Sequence, residues 1–213
     1  SYISVYPESP MSFDIEAIQY LYGVGSVNSG NNEYSFNDDG YLMMSVFDTG
    51  GFDTLDLSNL DSVNIVNLGS WAYLNIYPGP NLFFPENVDI EKIIGTSSGD
   101  FLVGNEVNNE LYGEMGDDLL KGDEGDDYLV GGPGNDTAIY LEDPEDYFIT
   151  IEEDVVTVRH GADGTGAEGT DTLVNIEAIT FYGNTLGDSG DDQTILVSSL
   201  VPTNQAPTVT SFT

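Results

Sequence analysis

Apolar positions are sparse along this chain, and their spacing changes several times. Over residues 11–23 (MSFDIEAIQYLYG), Phe13, Ala17, Ile18 and Leu21 fall at helical spacing. Ser12 stands where an N-cap belongs, Asp14 and Glu16 occupy the first turn, and Gly23 ends the run, so one short helix is expected there. A Gly/Asn/Ser-rich loop covers 23–32. Strand-like runs such as 41–47 and 71–76 follow, separated by turn residues, so the middle of the chain reads as all-β. Further on, 146–158 reads as a hairpin in which YFITI and VVTV flank the acidic turn Glu152-Glu153-Asp154, and 172–182 reads as another strand pair. Residues 163–171 read either as an ion site or as a flexible loop, and the Pro/Asn/Thr-rich end reads as an interdomain linker.

From Gly95 the spacing becomes regular. Residues 95–139 divide into five blocks of nine: GTSSGDFLV, GNEVNNELY, GEMGDDLLK, GDEGDDYLV and GGPGNDTAI. Position one is always glycine. Position six is Asp100, Asn109, Asp118, Asp127 or Asp136, and position eight is Leu102, Leu111, Leu120, Leu129 or Ala138. A solvated loop has no reason to keep an apolar residue in a nine-residue register, so the pattern marks a stacked repeat. Each block predicts a turn of small and polar residues followed by a very short strand with one inward side chain. Successive strands must cross a flattened helix back and forth, so alternate blocks share a side. Asp100, Asp118 and Asp136 are expected along one edge, and Asn109 with Asp127 along the other. Leu102, Leu120 and Ala138 would then stack against Leu111 and Leu129.

The turns point to calcium. Glycines let the backbone come close to an ion, the position-six carboxylate adds a charged oxygen where carbonyls converge, and calcium accepts six to eight oxygen ligands in loose geometry. The candidate ligands are Gly95, Ser97, Gly99 and Asp100 in the first block and Gly104 and Asn109 in the second. Gly113, Met115, Asp117 and Asp118 follow in the third, Gly122, Glu124, Asp126 and Asp127 in the fourth, and Gly131, Pro133, Asn135 and Asp136 in the fifth. Several ions are expected, bound more tightly in the centre than at the ends, since Asn109 is neutral and Ala138 is small. One apolar side chain per block is a thin core. At roughly 25 cal/mol per Å² of buried apolar surface it does not offset backbone ordering, so ion binding must supply part of the folding free energy.

Charge strengthens this reading. The chain has 38 Asp and Glu against Lys92, Lys121 and Arg159, a formal charge of −35, with 39% hydrophobic residues. Such a surface repels nucleic acid and anionic membranes, and it needs cations to stay compact. Cysteine is absent, and no apolar run approaches the roughly 20 residues of a membrane span. The N-terminus lacks a signal-peptide layout. His160 is the only histidine, has no partner at zinc-ligand spacing, and is expected at the surface, so no zinc is expected in this chain. Paired acids such as Asp117-Asp118 and Asp126-Asp127 could suggest a glycosidase, but their repeat register favours calcium. Trp71, Tyr73 and Tyr77 could form a sugar platform, although alternation of this kind more often reflects sheet packing.

The five blocks resemble the RTX nonapeptide, G-G-x-G-x-D-x-U-x, a β-helix repeat. The likeness extends outward. YPESPMSFDIEAIQYLYG resembles the last helix of the serralysin metalloprotease catalytic domain, and FDTGGFDTLDLSNL resembles the start of that family's C-terminal domain. DTAIYLEDPEDYFIT and GTDTLVNIEAITFYG are similar to its closing strands. The resemblance implies an all-β fold: a right-handed parallel β-roll embedded in a β-sandwich-like domain, with one short N-terminal helix. It divides the chain into a helix and loop over 1–35, a leading β segment over 36–94, the roll over 95–139, closing strands over 140–198 and a linker over 199–213. It also implies an extra calcium site at Asp48, Gly50, Gly51, Asp53 and Asp56.

For function, the resemblance implies a calcium-binding module of a larger secreted bacterial protein, exported by a type I system and folding on extracellular calcium. The H-E-x-x-H zinc motif is missing, so the chain itself is not expected to hydrolyse peptides, though its parent could be a zinc metalloprotease. The alternative is a module of a large adhesin on the bacterial surface, with neighbouring domains or a carbohydrate as partner.

Overall fold

The computed structural model describes residues 29–36, 43–46, 48, 50–61, 65–69, 73–75, 81–84, 88–152, 155–161, 164, 166–183, 193–200 and 210–211. The expected helix over 11–23, Trp71, Tyr77, Asp163 and residues 201–209 of the linker lie outside the described residues.

Strands alternate with glycine-rich turns throughout. Before the repeat lie β1 (Glu33–Ser35), β2 (Met43–Ser45), β3 (Thr54–Asp56), β4 (Val66–Asn67), β5 (Tyr73–Asn75), β6 (Asn81–Phe83) and β7 (Lys92–Ile94). The blocks supply β8 (Phe101–Val103), β9 (Glu110–Tyr112), β10 (Leu119–Lys121), β11 (Tyr128–Val130) and β12 (Thr137–Tyr140). After them come β13 (Tyr147–Glu152), β14 (Val155–His160), β15 (Thr170–Val174), β16 (Ala178–Phe181), β17 (Gln193–Leu196) and β18 (Thr210–Ser211), with a short helix α1 (Val197–Leu200). Among the described residues one sheet runs β1-β3-β7-β9-β11-β15-β14-β13-β18, a second runs β17-β16-β12-β10-β8-β4, and a third runs β2-β6-β5.

The blocks divide between the two large sheets as their period requires. Leu102, Leu120 and Ala138 are register partners across parallel β8, β10 and β12, and Leu111 partners Leu129 across β9 and β11. The parallel stack continues past both ends of the regular repeat. On one side Tyr34, Leu55, Ile93 and Leu111 partner in turn, and Leu129 partners Leu173. On the other, Val66 partners Leu102 and Ala138 partners Ile179. Leu55, Ile93, Leu173, Val66 and Ile179 are as fully buried as the leucines of the repeat. The ladder therefore crosses both 94/95 and 139/140.

This corrects the reading of 172–182 as a strand pair. β15 and β16 do not pair with each other but enter opposite sheets, each as one more rung. The expected hairpin is present, with β13 and β14 antiparallel from Tyr147↔His160 to Glu152↔Val155. It is an insertion in the stack, lying antiparallel on β15, while β17 lies antiparallel on β16. Tyr140, Tyr147 and Phe181, with ring centroids 5.0–5.5 Å apart, pack where hairpin and roll meet.

The alternation within one strand gives a sharp test. Leu120 is fully buried whereas its neighbour Leu119 is 40% exposed. In calcium, Leu120→Ala should lower the unfolding free energy by about 2–5 kcal/mol and Leu119→Ala by under about 0.5 kcal/mol, read from urea melts. Equal losses would contradict the register.

Candidate metal centre

Position six ends each turn immediately before its strand, and its side chain folds back beneath the turn. One carboxylate oxygen there is a structural acceptor. Asp100 N–H donates to Asp118 Oδ1 (2.8 Å), Asp118 N–H to Asp136 Oδ1 (2.9 Å), Asn109 N–H to Asp127 Oδ1 (2.7 Å) and Asp127 N–H to Asp171 Oδ1 (3.0 Å). The same bond recurs outside the blocks. Asn32 N–H donates to Asp53 Oδ1 (2.8 Å), Asp53 N–H to Glu91 Oε2 (2.6 Å) and Asp136 N–H to Glu177 Oε2 (2.8 Å). Seven acids, Asp53, Glu91, Asp118, Asp127, Asp136, Asp171 and Glu177, thus receive the backbone of a neighbouring rung.

The second oxygen separates two kinds of turn. Oδ2 of Asp53, Asp118, Asp127 and Asp136 is buried without a hydrogen-bond partner, in residues no more than 2% exposed. In the first two blocks the turn closes on itself: Thr96 N–H donates to Asp100 Oδ2 (2.6 Å) and Asn105 N–H to Asn109 Oδ1 (2.7 Å). Asp171 is closed differently, by the Tyr140 hydroxyl on Oδ2 (2.8 Å). Backbone conformation follows the same division. Glu114 (φ 71°) and Asp123 (φ 73°) hold position two of the third and fourth blocks in the left-handed region, where the fifth block has Gly132, and the first two blocks contain no positive φ. In the left-handed turns the position-two N–H no longer reaches the carboxylate, so its oxygen is left for something else.

Backbone oxygens converge on the same spot. A Cβ on Gly113 would collide with Asp118 Oδ2 and lie 2.7 Å from the Gly131 carbonyl oxygen. On Gly131 it would strike Asp136 Oδ2 and the Asn175 carbonyl oxygen, and on Gly122 it would strike Asp127 Oδ2. Position one is glycine because oxygens occupy the space a side chain would need.

An anionic oxygen buried without a partner is costly, and it recruits a proton or a cation. Burial is the largest cause at each of these acids. It pushes Asp127 up to about 7, with Asp123, Asp126 and Glu168 adding repulsion against the opposing Asn109 hydrogen bond. It pushes Asp136 up to about 6 with help from Asp118, Glu177 and Asp117, and Asp171 up to about 8 with help from Asp127. Asp53 and Asp118 are also raised, burial again leading, with Asp48 repelling the first and Asp100 and Asp117 the second. No group of three or more His, Cys, Asp or Glu stands at metal-ligand spacing among the described residues. An ion here must therefore take most of its ligands from carbonyls, and an all-oxygen, largely backbone donor set fits calcium.

The remaining candidates are placed as follows. Gly95 and Gly104 are buried, whereas Ser97, Gly99, Met115, Glu124, Pro133 and Asn135 sit at the exposed rim. Asp117 and Asp126 are exposed and form an outer ladder, accepting Asn135 N–H (2.9 Å) and Thr170 N–H (2.8 Å). Asp48 and Asp53 are both fully buried. Asp48 accepts Gly50 N–H (3.1 Å) and the Tyr34 hydroxyl (2.7 Å), while Asp56 caps Ser58 N–H (2.9 Å) at the far end of β3. His160 is half-buried rather than at the surface. Its ring stacks on Tyr147 at 4.9 Å and its Nδ1 accepts Glu168 N–H (3.3 Å). Sequence reasoning missed Glu91 and Glu177, and it placed Asp171 only at the edge of the 163–171 candidate rather than at position six of a rung. Their signal was the apolar residue two places on, and for the glutamates an Ile-Glu-x-Ile string that occurs twice, at 90–93 and 176–179.

Comparison with known proteins agrees with this geometry. The model of the RTX calcium-binding nonapeptide repeat matches residues 94–129 and 103–138, so the chain carries calcium-binding repeats of that type. A serralysin of Proteus mirabilis is 32% identical over 120 residues, 50% of this chain. The metalloprotease AprA of Pseudomonas entomophila is 36% identical over 120 residues, and serralysin C of Dickeya chrysanthemi 40% over 113. The match spans only 24%, 25% and 23% of those relatives respectively.

The raised proton affinities fix a pH dependence for the calcium-free chain. Unfolded, these acids titrate near 3.8. Their contribution is fully present below that pH and is lost as the pH rises through about 6 for Asp136, 7 for Asp127 and 8 for Asp171. In chelator the β signal in the far-ultraviolet should therefore be strongest near pH 5 and fall steadily towards pH 8, and a rise over that window would contradict the assignment.

Proposed function

We propose that this chain is a calcium-dependent structural module of a larger secreted bacterial protein, and that it folds on calcium after export. The observation that carries this reading is the set of four buried carboxylates, at Asp53, Asp118, Asp127 and Asp136, each with one oxygen held by backbone and one without a partner. Calcium would be held by those free oxygens together with carbonyls of the adjoining turns, such as that of Gly131 beside Asp118, and by Asp48 and Gly50 beside Asp53. The turns of Asp100 and Asn109 are already closed by hydrogen bonds and are assigned no ion of their own.

Calcium supplies the positive charge and the coordination that the side chains lack, so its binding free energy becomes folding free energy. Extracellular calcium modules bind at about 0.1–1 mM, so a chain of this kind stays unfolded where calcium is scarce and folds once outside. Type I export suits such a chain because it passes unfolded. The relatives bear metalloprotease names, which supports a zinc protease domain elsewhere in the same polypeptide. No H-E-x-x-H occurs here, and peptide hydrolysis is not assigned to this chain. The Pro/Asn/Thr composition of 199–213 favours a second reading, a module within a surface adhesin. H-E-x-x-H in the parent sequence upstream decides for the first reading, and a run of immunoglobulin-like repeats without it decides for the second.

In chelator the chain should be largely unstructured by far-ultraviolet circular dichroism, gaining β signal on addition of millimolar calcium. Asp118→Ala should raise the calcium midpoint more than Asn109→Ala, since only Asp118 has a free buried oxygen. A spectrum indifferent to calcium, or equal midpoints, would count against the reading.

A further inference from the structure

The repeat ends at Asp136, yet the ladder does not. In a regular roll the next block on that side would bring a position-one carbonyl and a further aspartate, but here the chain leaves for the hairpin and returns at β15. What lies against Asp136 is the tripeptide Asn175-Ile176-Glu177 between β15 and β16.

Two hydrogen bonds set its register. Gly131 N–H donates to the Val174 carbonyl (3.1 Å), as Gly113 N–H does to Val130 (2.8 Å), so Asn175 takes the place of a position-one glycine. Glu177 Oε2 accepts Asp136 N–H as Asp136 Oδ1 accepts Asp118 N–H, so Glu177 takes the place of a position-six aspartate. Three residues thus stand for six, and the longer glutamate side chain spans the difference. Asn175 holds φ at 51°, and its carbonyl oxygen meets Asp136 Oδ2 where a Gly131 side chain would otherwise lie. Asp136 is fully buried, and that Oδ2 has no hydrogen-bond partner.

We infer that Asp136, the Asn175 carbonyl and Glu177 form a divalent-cation site made from two segments that are not consecutive repeats, with Glu177 supplying its second carboxylate. This rests on the calcium reading of the roll. The ion fastens the fifth block to the strand that returns after the hairpin, so the inserted hairpin is anchored by the same chemistry that holds the rungs together. The site takes calcium for the reason the other turns do: its donors are all oxygen, two of them anionic.

The test is a calcium titration of the full chain by calorimetry, repeated with terbium luminescence, on Glu177→Gln, Asp136→Asn and the double variant. Glutamine keeps an oxygen to accept Asp136 N–H but carries no charge. Glu177→Gln should weaken one ion of the wild-type set by about tenfold or more, and the double variant should lose no more than Asp136→Asn alone, because both side chains serve one ion. The calcium midpoint of folding provides a second readout: Glu177→Gln should raise it while leaving the circular dichroism in chelator as in wild type. A wild-type isotherm for Glu177→Gln, additive losses, or an unchanged folding midpoint would overturn the site. If Asp136→Asn loses an ion while Glu177→Gln does not, this inference alone fails. If the unaltered chain takes up no cation, the calcium reading fails with it.

Discussion

Everything in this fold depends on a carboxylate that has only half of its hydrogen-bonding capacity satisfied by protein. At Asp53, Asp118, Asp127 and Asp136 one oxygen receives the backbone of the neighbouring rung, and this locks the turns in register. The other oxygen is buried and unmatched. A proton can satisfy it only where the pH is low enough, whereas a divalent cation satisfies it and also draws in the carbonyls that crowd each turn. The side chains that space the rungs are therefore the same ones that leave unmatched acid oxygens inside the stack.

The hydrophobic contribution is arranged around that constraint. Each rung offers one inward side chain, and these form two facing columns, Leu55-Ile93-Leu111-Leu129-Leu173 and Val66-Leu102-Leu120-Ala138-Ile179. A column one residue wide buries little per turn, so rungs stabilise one another only as a stack. Where the stack stops, other groups take over. Tyr140 satisfies Asp171, Tyr34 satisfies Asp48, and the antiparallel hairpin covers the flank of β15.

Much of this was legible in the chain before any coordinates. The nine-residue register of Gly95, Asp100 and Leu102 and their successors gave the parallel stack, its two sides and its ion. What remained hidden had physical causes. The rungs at Leu55, Leu173 and Ile179 are separated by insertions that break the period, so no fixed spacing reveals them. Glu91 keeps the nine-residue register before Asp100 but not the residue type, and Glu177 does the work of an aspartate on a shorter turn, so a search for Gly and Asp passes over both. The split between closed and open turns depends on whether Thr96 or Asn105 turns its N–H toward the carboxylate, or Glu114 and Asp123 adopt left-handed φ. Composition does not determine that choice.

Hydrogen exchange at the position-six amides tests the central claim most directly. The N–H groups of Asp100, Asn109, Asp118 and Asp136 donate to the carboxylates of the neighbouring rung. In saturating calcium these amides should exchange slowly, and in chelator at neutral pH they should lose protection together, along with the amides of β3, β7, β15 and β16 outside the regular repeat. Protection that persists unchanged in chelator would mean that the buried carboxylates are accommodated without cations, and the account would be wrong.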